Sequence, residues 1–325
     1  MGNPVTDILK IKYPIIQGGM GNISDPGLAA AVSNAGGLGT IGAGTLSVDA
    51  LKEKIDIMLS LTDQPVCVNI PITVHPDPEA VARALIELKI PVVSLSAGNP
   101  APFIDMFKKY GIKVICVTST VRQAKKAEKH GADLVVCEGY EAAGLNSPNE
   151  STSLTLIPQV VKAVDIPVIA AGGIADGKGL AAVFALGATG VQMGTRLVAT
   201  KEAGYHPAYK QAILEANDEA TVIVGRKFKK IRRILKNEYA EKLLHLEKEN
   251  AGMEEYEQKT SEEIHKIGAV DGDPENGFMT AGQIAGLIDD LPTVKQLFER
   301  MMKEAEKSLE VAGNVLLSGY KGEYL

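Results

Sequence analysis

Tryptophan is absent from this 325-residue chain, and aromatic residues make up only 5% of it. Glycine, by contrast, occurs 33 times. Few bulky rings and many residues without a Cβ favour close backbone packing and the tight loops that α/β enzymes build around phosphates. Cysteine is scarce too. Cys67, Cys116 and Cys137 are the only three, and each falls in an apolar run. That excludes a disulfide framework and reads as buried reduced thiols in a reducing compartment, by default the cytoplasm. Positive charge is not in surplus, and a net charge of −6 argues against a general nucleic-acid binder. No apolar run reaches the length of a bilayer span, so no membrane partner is expected. The first residues lack the charged start and apolar core of a secretory signal. No set of His, Cys and carboxylate residues has metal-ligand spacing, so no metal is expected either.

What the chain does have is eight short apolar runs in its first 193 residues, at 13–17, 37–42, 65–69, 91–96, 112–117, 133–138, 166–171 and 190–193. They are near-continuous in Val, Ile and Leu, the pattern of strands covered on both faces. Segments of helical length separate them. Asp25-Pro26 opens a helix ending near Gly36-Gly37, Asp77-Pro78 and Asn99-Pro100 open two more, and 151–164 and 177–186 supply the sixth and seventh. Eight strand–helix units in a row predict an α/β fold, the closed (β/α)₈ barrel, in which the C-terminal strand ends carry the chemistry.

After Thr200 the composition changes. Residues 201–270 are richly charged, with strongly helical stretches at 238–248 and 254–266, and predict a helical cap inserted after strand eight. A glycine-rich run at 277–283 breaks these helices. Residues 293–315 read as a long amphipathic helix returning to the barrel wall. The expected division is a barrel over 1–200, a cap or substrate domain over 201–275, and a return segment with the final helix over 276–325.

The loop after strand seven reads Ala170-Ala171-Gly172-Gly173-Ile174-Ala175-Asp176-Gly177, and the one after strand eight Gln192-Met193-Gly194-Thr195-Arg196. In phosphate-binding barrels these two loops supply backbone N–H donors, helped by a short helix N-terminus. Two other stretches imitate nucleotide motifs without their setting. Residues 37–42 spell the dinucleotide fingerprint but lie within a strand. Residues 172–178 resemble a P-loop, but Gly179 stands where a Ser or Thr should hold Mg²⁺. After strand one, Gln17-Gly18-Gly19-Met20-Gly21 lets a flat ring lie against the backbone. Asn69 ends strand three, Ser96-Ala97-Gly98-Asn99 follows strand four, and Glu138-Gly139 ends strand six. A phosphate site beside a rim of small and polar residues fits flavin mononucleotide better than a sugar phosphate, the flavin carrying the redox chemistry.

These motifs, with Pro14-Ile15-Ile16-Gln17-Gly18-Gly19-Met20, Ala35-Gly36-Gly37-Leu38-Gly39, Val68-Asn69-Ile70, Ala97-Gly98-Asn99-Pro100 and Ala281-Gly282-Gln283-Ile284-Ala285-Gly286-Leu287, carry a resemblance that runs in order along almost the whole chain. The chain resembles the FMN-dependent TIM barrels that include nitronate monooxygenases and the FabK-type enoyl-acyl-carrier-protein reductases. The resemblance implies that Gly19, Met20, Asn69, Gly98, Ala171, Gly173, Gly194 and Thr195 lie around FMN, with Gln192 and Gln283 nearby. The phosphate loop adds Gly172, and the end of strand six adds Glu138. One departure stands out. The family's loop after strand six usually runs Glu-Ala-Gly-Gly-His, whereas here it is Glu141-Ala142-Ala143-Gly144-Leu145, followed by Asn146. Leu145 occupies the position of the family's catalytic histidine and can neither donate nor accept a proton.

Two residues are candidates to substitute. His75 follows strand three on the same face and carries an imidazole, the side chain best suited to proton transfer; the plainer reading is an exposed loop histidine before Pro76. Asn146 offers a neutral donor to a developing anion; the plainer reading is a turn residue beside Ser147-Pro148. His206 reads as structural, and His130 and His245 as helix-surface residues. The basic run at 226–236 is either a landing site for an acidic carrier protein, a nucleotide phosphate or a coenzyme A tail, or a solvated helix face. The leading expectation is an FMN-dependent oxidoreductase that takes electrons from a nitronate-like donor or from NADH or NADPH and acts on a small-molecule or acyl-thioester substrate. An NAD(P)H-dependent enoyl-thioester reductase is the runner-up. A non-redox phosphate-binding barrel and a catalytically silent flavin-binding protein are the readings of another class. A homodimer is left open.

Overall fold

The computed structural model describes residues 2–249 and 251–319. Its main sheet contains β1 (Ile15–Gln17), β2 (Gly39–Gly42), β3 (Val66–Pro71), β4 (Val92–Ser96), β5 (Lys113–Thr118) and β6 (Leu134–Glu138). A two-residue strand, β7 (Gly144–Leu145), lies outside it, and β8 (Val168–Ala171) and β9 (Gly190–Met193) complete it. The eight strands pair in the order β1-β9-β8-β6-β5-β4-β3-β2, with every pairing parallel. A bridge between Ile16 and Leu38 closes the ring. There the Gln17 N–H donates to the Leu38 carbonyl at 2.9 Å, and the Leu38 N–H donates to that of Ile15 at 3.0 Å. β3 and β4 each begin one residue after the proline expected to start them, because proline has no N–H to give to a ladder.

The helices of the barrel are α1 (Pro4–Leu9), α2 (Pro26–Asn34), α3 (Val48–Leu61), α4 (Pro78–Glu87), α5 (Ala101–Lys108), α6 (Val121–Lys129), α7 (Ser153–Val161), α8 (Gly177–Ala185) and the short α9 (Thr195–Val198). Asp25 and Asp77 cap α2 and α4 as their sequences suggest, each carboxylate accepting a first-turn N–H at 2.9 Å. The glycines of 37–42 serve packing. A Cβ added at Gly39 would lie 1.8 Å from the Ala29 carbonyl oxygen of α2, so the helix rests directly on the strand.

Two apolar layers hold the barrel. Inside it, Ile16, Leu38, Cys67, Ile115, Leu134 and Ile169 pack together, and Val5 and Leu9 of α1 stop its N-terminal end. Between strands and helices lies the larger layer, with Leu28, Ile55, Leu85 and Phe107 among its buried members. The site is therefore confined to the C-terminal rim.

The segment beyond α9 forms α10 (Pro207–Leu214), β10 (Thr221–Val224), β11 (Arg232–Leu235), α11 (Glu238–Lys248), α12 (Met253–Lys259) and α13 (Glu262–Ala269). The stretch 254–266 is not one helix: it breaks at Thr260-Ser261, where the Thr260 hydroxyl donates back to the Tyr256 carbonyl at 2.8 Å. Nor is the basic run a helix face. It forms the turn of an antiparallel β10–β11 hairpin and the whole of β11, to which β7 adds as a third strand. The alternative that read it as a solvated helix is overturned because its apolar members, Phe228 and Ile234, pack with Val224, Leu243, Tyr256 and Phe278 in a core belonging to the cap. Finally α14 (Val294–Gly319) returns along α8 and α2. Among the described residues no helix is long and apolar enough to cross a membrane.

Phe298 anchors that return. Its ring is fully buried and meets Tyr13 edge-on at 6.3 Å. Truncation to alanine removes the buried ring and leaves a cavity, so Phe298→Ala is expected to cost about 3–5 kcal/mol in urea unfolding. A loss below about 1 kcal/mol would show that α14 is not fastened there.

Candidate active site

The loops that follow the barrel strands open into a cavity of about 890 Å³ roofed by the cap, near the upper end of the roughly 300–1,000 Å³ usual for cofactor and small-molecule sites. Gly19 and Met20 after β1, Asn69 of β3, Gly98 after β4 and Glu138 of β6 line it. So do Ala171, Gly172 and Gly173 at the end of β8, and Gln192, Gly194 and Thr195 at the end of β9.

Three candidates fare differently. Gln283 is exposed and outside the wall; its backbone N–H donates to the Glu141 carbonyl at 2.9 Å, and its neighbours Gly282 and Ile284 face the cavity instead. His75 is buried away from the cavity. Its Nδ1 accepts the Asp77 N–H at 3.0 Å, and its Nε2 donates to the Leu46 carbonyl at 2.8 Å. Both ring nitrogens are engaged by the backbone and neither reaches the cavity, nor is it the exposed loop histidine of the plainer reading. Asn146 lines the cavity, but its Nδ2 donates to the carbonyls of Ala142 at 2.9 Å and Gly144 at 3.2 Å. Its amide hydrogens fold its own turn, and none remains for a developing anion. His206 is structural, its Nδ1 accepting the Ala208 N–H at the start of α10.

At the β8–β9 end, Gly172 and Gly173 adopt φ of +90° and +77°, values that side chains with a Cβ resist. Among the described residues, the amides of Gly173, Gly194 and Thr195 donate to no protein acceptor. The start of α8 is otherwise engaged: Asp176 accepts the Gly179 N–H and Glu304 the Gly177 N–H, both at 2.8 Å. The free donors therefore belong to the Gly173 turn and the start of α9, and not to the helix behind the P-loop imitation.

Opposite them, the cap contributes residues of which the sequence singled out only Arg232, as part of the basic run. Tyr209, Arg232, Glu262, His265 and Thr280 all line the cavity. His265 lies parallel to Phe278 with centroids 4.9 Å apart, and its Nε2 is 3.2 Å from the Thr280 hydroxyl. Burial first, and the Arg232 charge second, push its pKa down to about 3, so the imidazole is neutral. Glu262 accepts the Asn22 N–H at 2.9 Å and so fastens α13 to the loop after β1. Only the fold-back of the cap reveals these positions; the break at Thr260-Ser261 was the available signal. The loop after β6 is a rigid wall. Glu141 accepts the Ser153 N–H at the start of α7, and the Arg233 guanidinium donates to the Tyr140 carbonyl at 3.0 and 3.2 Å. Leu145 leads from that wall into β7, directly opposite Arg232 of β11.

The nitronate monooxygenase profile matches residues 3–304. The chain belongs to that family. It is 33% identical to a probable nitronate monooxygenase of Staphylococcus saprophyticus, over 93% of this chain and 97% of that one. It is 31% identical, over 95% of this chain and 97% of the other, to a (3aS,4S,5R,7aS)-5-hydroxy-7a-methyl-1-oxo-octahydro-1H-indene-4-carboxyl-CoA dehydrogenase of Rhodococcus jostii. The solved structure of FabK from Thermotoga maritima superposes with a TM-score of 0.90 at 42% identity, covering 97% of this chain and 99% of that one. As a member of the nitronate monooxygenase family the chain is a flavin-dependent oxidoreductase, which sets aside the non-redox and silent alternatives.

Glu138 generates a test. Its carboxyl sits in the cavity wall with no hydrogen bond or ion pair among the described residues, and burial pushes its pKa from 4.5 up to about 7. A raised carboxyl pKa costs the fold nothing below the unfolded value and reaches its full penalty above the folded one. The cofactor-free Glu138→Gln variant should therefore match its parent near pH 4.5 and gain on it by on the order of 1–3 kcal/mol by pH 8 in urea unfolding. A difference that does not change with pH would contradict this.

Proposed function

We propose that the chain is an FMN-dependent oxidoreductase of nitronate monooxygenase type. The observation that carries this reading is the union, in one cavity, of free amides at Gly173, Gly194 and Thr195 with a rim of small and polar residues after β1, β3, β4 and β6. In this reading the amides hold the phosphate, with Gly172 shaping the turn. Gly19, Met20, Gly98, Ala171 and Gln192 lie against the ring system. Asn69 is pre-set: its Nδ2 is held by the Ser94 carbonyl and hydroxyl at 3.3 Å and by the Ser96 hydroxyl at 3.2 Å. Bound FMN would supply the redox chemistry, accepting an electron pair from one reactant and releasing it to another.

The chain's own residues then orient reactants and exclude water. Leu145 stands where the family resemblance calls for a histidine, so no proton is handled there. A nitronate arrives already deprotonated and asks for no base, which favours it as the donor. The similarity to FabK supports a second reading, an NAD(P)H-dependent enoyl-thioester reductase. In that case the proton must come from elsewhere than position 145. An acidic carrier protein finds less to bind than the sequence promised, because Arg226 is paired with Glu150 and Lys230 with Glu257. A cytoplasmic setting accords with three buried, unpaired thiols.

The purified protein should be yellow, and Gly173→Ala should weaken FMN binding on the order of tenfold, read by flavin fluorescence, because alanine strains the left-handed turn by about 1–2 kcal/mol. Anaerobic mixing with propane-2-nitronate, NADH and NADPH in turn then assigns the donor by which one bleaches the flavin. A preparation that stays colourless with added FMN overturns the proposal.

A further inference from the structure

The basic run leaves one charge unaccounted for. Arg226 pairs with Glu150, Lys230 with Glu257, and Arg233 donates to the Tyr140 carbonyl and the Thr221 hydroxyl. Lys227 donates to the Glu249 carbonyl, and Lys229 and Lys236 are exposed to water. Arg232 differs from all of them. It is half-buried in the cavity wall, yet among the described residues its guanidinium makes no hydrogen bond and no ion pair. It lies over the Phe278 ring, with the centroid 5.8 Å away. Glu262 accepts the Asn22 N–H and makes no ion pair with Arg232 among the described residues, although its charge favours the guanidinium from a distance. Burial is the main influence on this guanidinium and pulls its pKa below the usual value, though arginine remains cationic at any working pH. Its nitrogens are half-buried yet still open to the cavity, so an unpaired planar cation faces the space a ligand would enter.

The register says where this cation points. Arg232 is directly opposite Leu145 in the β7–β11 pair. Residues directly opposite on an antiparallel pair project from the same face, and both line the cavity. At the spot where the wall turns apolar, its cross-strand neighbour thus supplies a permanent positive charge.

We propose that Arg232 is the anion receptor of this active site, binding the planar two-oxygen group of a substrate, a nitronate or a carboxylate, through the fork of its guanidinium. Leu145, across the strand pair, gives that spot an apolar neighbour. The receptor selects substrates that arrive as anions, and it does so by fixed charge, not by titration. It deepens the oxidoreductase reading by naming the chemical group the substrate must carry.

The test uses isobutyrate, its neutral isostere isobutyramide, and propane-2-nitronate, which shares the branched carbon frame. Isothermal titration of the FMN-loaded protein should show isobutyrate binding far better than isobutyramide, and isobutyrate should compete with propane-2-nitronate. In Arg232→Met, isobutyrate affinity should fall on the order of 10- to 100-fold, the loss of one charge-assisted pair. Arg232→Lys should fall between the two. FMN affinity should stay at the parent level in both. Leu145→Glu provides an independent check: a carboxylate placed across the strand should occupy the guanidinium and expel isobutyrate with Arg232 intact. Equal binding of isobutyrate and isobutyramide by the parent, or unchanged isobutyrate affinity in Arg232→Met or Leu145→Glu, overturns the proposal. Failure to bind FMN would sink the cofactor reading alone, since the same titration on cofactor-free protein still judges Arg232.

Discussion

The parallel ladder closed between Ile16 and Leu38 is the constraint from which the rest of the molecule follows. A ring of strands that all run one way can only be joined by crossovers, so each loop that leaves a strand opens at one rim and each loop that enters one lies at the other. Residues as far apart in the chain as Gly19, Glu138 and Thr195 meet for that reason alone. Had the seam between β1 and β2 stayed open, the loop after β1 would have no fixed distance from the turns after β8 and β9.

Much of this was legible in the chain. Apolar runs marked the eight strands, and Asp25-Pro26 and Asp77-Pro78 marked helix starts that the structure caps with those same aspartates. These are short-range effects, written within a few residues of where they act. The β10–β11 hairpin was hidden because its strands are short and one carries Arg232 and Arg233, so charge masked the pairing that Val222, Val224, Ile234 and Leu235 support. His75 and Asn146 misled for a different reason. A polar side chain in a rim loop looks the same in sequence whether it faces substrate or bonds its own backbone. Only coordinates show that His75 serves Leu46 and Asp77, and that Asn146 serves Ala142 and Gly144. The cap residues His265 and Thr280 were invisible because their place depends on contacts between segments far apart in the chain.

The cavity brings together three groups whose ionisation is set by surroundings. Glu138 sits half-buried in the cavity wall without a partner, and His265 is pressed against Phe278 near a cation, so burial drives both toward their uncharged forms. Arg232 cannot follow them, because guanidinium holds its proton throughout the accessible range. The result is a cavity to which the cap adds a permanent positive charge, beside the charged side chains of Arg122, Lys126, Glu141 and Glu262. That charge is carried by the β10–β11 hairpin, an element that can vary without disturbing the ladder beneath it.

The small helix α1 has a further effect. By driving Val5 and Leu9 into the barrel it acts as a stopper at the N-terminal end. The cavity is left to communicate with solvent on the side of the rim loops and the cap. A bulky molecule lodged there narrows the passage for whatever follows it.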